Sequence, residues 1–172
     1  LNQEGKYTAL PVNIQEAASG MNPHDAMYLA ARSIIMSADA ALPLAEPPPT
    51  LPPTSQDFTW RSYLNQWAKQ APKPLVLFID EADSLMDDLF LALLRQLRSG
   101  FELRPHDFPH SIALVGLRDV RDYKIRLRPD RDSLGTGSPF NVKTKSLFMQ
   151  GFTPAEVKSL LDQHTHETSQ LF

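Results

Sequence analysis

Two adjacent carboxylates, Asp80 and Glu81, follow directly on the apolar run Leu75-Val76-Leu77-Phe78-Ile79 and precede Ala82-Asp83-Ser84-Leu85. A short apolar run of this kind reads as a buried strand that delivers acidic side chains at its C-terminal end. One carboxylate in that place can hold Mg2+ and its water near terminal phosphates, and its neighbour can orient an attacking water. Adjacent strand residues point to opposite faces, but the backbone turns at a strand's end, so both can serve one site. The same pair also suits a plainer role: an N-cap with a glutamate in the first helical turn, stabilised by the positive end of the helix dipole.

A second polar cluster follows another apolar run, Ser111-Ile112-Ala113-Leu114-Val115-Gly116, which also reads as a buried strand. Arg118, two residues beyond Gly116, is the best single candidate for contact with a phosphate or a partner's carboxylate, because a guanidinium binds such groups bidentately. Residues 118 to 132 hold six basic and four acidic side chains, a mixture that also suits a solvated face of weak Arg–Asp pairs. His164 and His166 stand two apart on a helical pattern and so do not share a face. They make a poor metal pair, and one is expected near the core with the other in solvent. Trp60 and Trp67 read as core anchors, since no basic stripe interleaves them as base stacking would require.

The elements that must position these residues alternate along the chain. Tyr7 to Ile14 reads as a strand, with Pro11 suited to an edge or an irregular turn in the ladder rather than a central strand. Asn22 and Pro23 look like an N-cap and first helical residue, and the apolar spacing of Met27, Ala30, Ala31, Ile34 and Ile35 predicts a helix to about Ala41. The segment 43–54 contains six prolines and almost no charge, which predicts a structureless or polyproline-like connector rather than a packed element. A short helix carries Trp60, Leu64, Trp67 and Ala68 on one face. Met86, Leu89, Phe90, Leu93, Leu94 and Leu97 form the stripe of another, closed by Gly100.

Residues 118–141 read as an exposed, charged excursion and Lys145 to Met149 as a further short strand. Thr153-Pro154-Ala155-Glu156 then spells a capping box and first-turn proline ahead of a helix with Val157, Leu160, Leu161 and His164 on one face. The expected fold class is α/β, a mostly parallel sheet with helices on both faces.

Composition narrows the function classes. At 172 residues the chain is long enough for one domain with a real core, and it has no cysteine for disulfides or thiolate zinc sites. No apolar run approaches the roughly 20 residues of a membrane span, and no leader pattern opens the chain, so the expectation is a cytoplasmic protein with no membrane association. The formal charge of -3 and the mixed charge near Arg118 argue against nucleic acid as a partner.

Taken in order, the run 75–81, the strand ending at Gly116, Ser138-Pro139-Phe140-Asn141 and Phe152-Thr153-Pro154-Ala155-Glu156-Val157 resemble AAA-type P-loop ATPases. The likeness is closest to bacterial AAA-like ATP-binding proteins and more distant to signal-transducing and origin-recognition ATPases, and it covers roughly residues 7 to 170. It implies that 75–81 is a Walker B segment, that Asp80 binds Mg2+ through water when ATP is present, and that Glu81 activates water. It also implies that Gly116–Arg118 occupies the sensor 1 position and that Arg118 contributes to nucleotide binding. Arg118 stands where that family usually has Asn, Ser or Thr.

One part of the pattern is missing. No Gly-x-x-x-x-Gly-Lys-Ser/Thr loop occurs here; Gly135-Thr136-Gly137-Ser138 is not followed by Gly-Lys, and Lys143-Thr144 lacks the glycines. That loop's backbone N–H groups and lysine carry the phosphates. In the family it precedes the strand at 7–14, together with the first strand and first helix. The expectation is therefore a partial, P-loop NTPase-like domain over 1–172 lacking those three elements. It would be the C-terminal part of an ATPase core that uses ATP and Mg2+ in a longer protein but holds neither by itself. The first strand would lie between the strand ending at Gly116 and the one at about 145–149, so its absence opens the sheet and makes a homo-oligomer a further expectation. The alternative is a non-catalytic interaction or regulatory domain on the same fold, acting on a protein partner.

Overall fold

A computed structural model describes residues 1–17, 22–42, 46–85, 87–116, 147, 149–168 and 170. Three strands, β1 (Thr8–Asn13), β2 (Leu75–Asp80) and β3 (Ser111–Leu114), form one sheet in the order β1-β2-β3, and both pairings are parallel. Parallel neighbours need crossovers. Helices α1 (Pro23–Ala41) and α2 (Trp60–Gln70) lie between β1 and β2 in the chain, and α3 (Asp87–Gly100) lies between β2 and β3. A fourth helix, α4 (Pro154–Thr168), follows. The α/β class and the parallel sheet agree with the expectation.

Strand alternation decides which side of the sheet is the core. Leu10, Val12 and Ile14 of β1 and its exit share one face with Leu75, Leu77 and Ile79 of β2, and all six are at most 1% exposed. The buried residues of α1, α2 and α3 belong to the same cluster. On the other face Pro11 and Phe78 are exposed, and a shallow depression there is lined by Leu1, Asn2, Gln3, Ala9, Pro11 and Phe78. Helices on both faces were expected; among the described residues they cover one.

Pro11 occupies an edge strand, as its missing N–H requires. The N–H groups of Thr8 and Ile14 donate to Pro74 and Asp80, so odd-numbered residues of β1 direct theirs away from the sheet. Farther back on the same edge, the Asn2 carboxamide accepts from the Ala9 N–H (2.7 Å) and donates to the Ala9 carbonyl (2.9 Å). That amide takes the place of a neighbouring strand at one position and blunts the edge.

The caps read at Asn22 and Thr153 form, and Thr59 caps α2. Asn22 accepts from the Asp25 N–H (3.0 Å) at the start of α1. Thr59 accepts from the Ser62 N–H (3.2 Å) at the start of α2. Trp60 and Trp67 are core anchors, at 0% and 1% exposure. The Trp60 indole donates to the Met27 carbonyl (3.2 Å), and its backbone N–H donates to Gln96 Oε1 (2.7 Å), tying α2 to both α1 and α3. The capping box at Thr153 forms as read: Glu156 accepts from the Thr153 N–H (2.7 Å), and Thr153 Oγ1 accepts from the Glu156 N–H (3.3 Å). The Thr153 N–H, and after it the Thr153 hydroxyl, which also donates to the carboxylate (2.7 Å), hold the Glu156 carboxyl below its ordinary value.

Three expectations are corrected. Residues 46–54 have no regular structure, yet they are packed: Pro49 is buried, and the Tyr28 hydroxyl donates to the Pro52 carbonyl (2.6 Å). Gly100 ends α3 as expected, with φ -91° and ψ -10°. It is needed because a Cβ there would stand 2.2 Å from the Phe108 ring. Leu147 and Met149 are not in a strand and are 78% and 89% exposed; the other residues of that expected strand lie outside those described. On α4, Val157, Leu160 and Leu161 are exposed and no residue is buried. His164 is half-buried and His166 exposed, on a helix that does not enter the core.

Glu46 fastens the proline segment to the N-terminal end of the sheet. It accepts from Thr8 Oγ1 (2.8 Å) and from Lys73 Nζ (3.1 Å). Those two bonds, Thr8's first, hold its carboxyl below the ordinary glutamate value of 4.5. The folded protein binds this proton less tightly than the unfolded chain, so the stabilisation is complete above 4.5 and is lost as pH falls through the lowered folded value. Glu46→Gln is expected to lower the urea midpoint at about pH 7, with the difference from the parent shrinking as pH falls below 4.5 through the lowered folded value. Gly100→Ala is expected to cost about 1–3 kcal/mol in the same measurement, because the Phe108 ring must be displaced.

Candidate functional site at the carboxylate edge

The C-terminal ends of the three strands gather the polar residues. Asp80 ends β2 and is exposed; its register neighbour on β1 is Asn13, also exposed. Asn13 Oδ1 accepts from the Gln15 N–H (2.9 Å), which fixes its amide at this edge. Beyond β3 the ladder continues for one step: the Val115 N–H donates to the Ile79 carbonyl (2.8 Å), and the Ala82 N–H donates to the Val115 carbonyl (3.1 Å). The end of β2 is therefore stapled on both sides.

Between those bonds the backbone turns sharply. Glu81 has φ 55° and ψ 34°, the left-handed conformation that non-glycine residues rarely adopt. Its N–H donates to Asp80 Oδ1 (2.9 Å), and its carbonyl accepts from the Ser84 N–H (2.9 Å). A three-residue turn, Ala82–Ser84, follows, and α3 begins later at Asp87. The plainer capping role is thereby corrected. Glu81 makes no side-chain cap bond, and neither Asp80 nor Glu81 sits at the start of α3. The turn needed for both carboxylates to leave the strand at one place is present.

Asp80 and Glu81 form no ion pair with another described residue. A carboxylate pair at a strand end can attract a cation, and Mg2+ is commonly held by one or two carboxylates together with substrate phosphates. No group of three metal-ligating side chains occurs among the described residues. The donor set thus suits a metal delivered with phosphates rather than a metal caged by protein alone.

Of the residues singled out from sequence, the structure brings Asp80, Glu81 and Gly116 to one edge; Arg118 lies outside the described residues. Two neighbours escaped that reading. Asn13 is the polar residue at the end of β1, and a search for polar residues at every strand end would have found it. Asp83 lies against Gly116, where a Cβ would stand 2.6 Å from its Oδ1. The signal was its acidic type three residues after Asp80.

Comparison of the chain with protein-family models, curated proteins and solved structures finds no match. The assignment of function therefore stands on the geometry of this edge. The left-handed backbone at 81 makes a direct prediction. Glu81→Gly is expected to be more stable than Glu81→Ala by about 1 kcal/mol in urea unfolding, because only glycine adopts this conformation without steric cost.

Proposed function

We propose that this chain is part of an AAA-like ATPase core and carries its hydrolytic carboxylates, with the phosphate-binding loop supplied by a segment outside these 172 residues. The observation that carries the reading is Glu81: a glutamate held left-handed, directly after an exposed aspartate, at the C-terminal end of a buried central parallel strand. Ligands of open parallel sheets bind at that end of the strands. Backbone strain of this kind, of order 1–3 kcal/mol, clusters at functional sites.

In this reading Asp80 holds the metal of ATP–Mg2+ through a water ligand. Glu81 accepts a hydrogen bond from the attacking water and orients it. The bound metal supplies charge neutralisation at the phosphates. Asn13 flanks Asp80, and Gly116 gives room to the Asp83 carboxylate beside the turn. Arg118, two residues on, is assigned to the nucleotide. The outer side of β3 pairs with no strand among the described residues, which leaves room for a further parallel strand beside the site.

A non-catalytic interaction domain is the second reading. Exposed apolar residues favour it: Phe152 at 72%, Leu160 at 49%, and Phe78 on the uncovered sheet face.

Calorimetry with ATP–Mg2+ separates the two. The 172-residue chain is expected to show no micromolar binding, and a protein extended upstream is expected to bind and hydrolyse ATP. In that longer protein Glu81→Gln should retain binding while turnover falls by about 10²–10⁴-fold. Micromolar binding by the short chain would remove the need for an outside loop, and unchanged turnover would remove Glu81 from its role.

A further inference from the structure

The carboxylate of Asp83 fills the space that a side chain at 116 would need. A Cβ there would stand 2.6 Å from Oδ1, 3.0 Å from Cγ and 3.5 Å from the Asp83 Cβ. Oδ1 is shielded from solvent at this contact. At the same corner Val115 brackets the acidic pair. Its N–H reaches the residue before Asp80, and its carbonyl accepts from the residue after Glu81. The strained step at Glu81 is thus spanned by two bonds to a single residue of the neighbouring strand end, and Asp83 sits against the next residue of that end.

We propose that Asp83 is a positioning residue: its carboxylate, seated against Gly116, locks the Val115–Gly116 corner to the Asp80–Glu81 turn and so keeps Glu81 left-handed. A group that contacts Gly116 is then felt at Glu81 through two backbone bonds. This inference rests on the reading of Glu81 as the water-orienting group. It makes Asp83 a residue that acts through Glu81 without touching the nucleotide.

Amide hydrogen exchange in the 172-residue chain tests the lock without nucleotide. Asp83→Ala and Gly116→Ala are each expected to speed exchange at Ala82 and Val115 by about tenfold or more while the amide of Leu77 is unaffected, because the opening is local. Asp83→Asn, which keeps the shape, is expected to restore most of the protection. Adding Gly116→Ala to Asp83→Ala should cause little further change, since the opposing carboxylate is already gone. This double variant also distinguishes a broken contact from a chain that fails to fold. Unchanged exchange at Ala82 in both single variants overturns the proposal. So does equal acceleration at Leu77, which would mark a general packing role.

The second measurement is turnover in the upstream-extended protein, where Asp83→Ala should lower kcat with little change in KM and Asp83→Asn should recover it. Equal kcat in the parent and Asp83→Ala overturns the coupling to Glu81. A parent without ATPase activity defeats the functional reading, and the exchange result then decides the lock by itself.

Discussion

Burial of Leu75, Leu77 and Ile79 against the helices, with both edges of β2 paired to parallel neighbours, is the constraint on which the remaining structure depends. The middle strand of a parallel sheet can be apolar along its length because its neighbours satisfy its backbone groups. Where β1 and β3 end, that satisfaction must be replaced. The chain does so with the Ile14 N–H on one side and with Val115 on the other. Asp80 and Glu81 emerge at this boundary, one residue out of an environment in which a carboxylate would be strongly disfavoured.

The same boundary explains where the strain sits. A strand leaving a sheet can continue straight into solvent or turn back over the strand ends. Here it turns at one residue, and that residue is a glutamate rather than a glycine. Left-handed backbone is tolerated at Glu81 because hydrogen bonds on either side over-determine it. The result is an acidic corner whose position follows from the sheet rather than from a flexible loop.

Outside that corner the molecule is asymmetric. One sheet face is sealed by three helices that share two tryptophans and a continuous core. The other retains Pro11 and Phe78 in the open, and α4 carries Val157, Leu160 and Leu161 on a face that contacts no core. The β1 edge is blunted by Asn2 and Pro11, whereas β3 has no strand on its outer side among the described residues. These surfaces distinguish the two functional readings physically. An ATPase core needs a further element beside β3, and an interaction domain would use the apolar surface as it stands.

Much of the fold and part of the site were legible in the residues alone. The strand ending at Asp80, the caps at Asn22 and Thr153, the edge position of Pro11 and the core role of Trp60 and Trp67 are local rules. Each is decided by side-chain type, spacing of apolar residues or a missing N–H within a few positions. The face the helices cover, the packing of the proline segment through Glu46 and Tyr28, and the reason for glycine at 100 depend on residues far apart in the chain. So does the meeting of Asp83 with Gly116. By itself the sequence determined that two carboxylates would stand at the end of a buried strand, because apolar periodicity and charge are carried residue by residue. Only the tertiary structure decided that Glu81 would be left-handed and braced by Val115, since the forces that hold that strained backbone come from a strand more than 30 residues away.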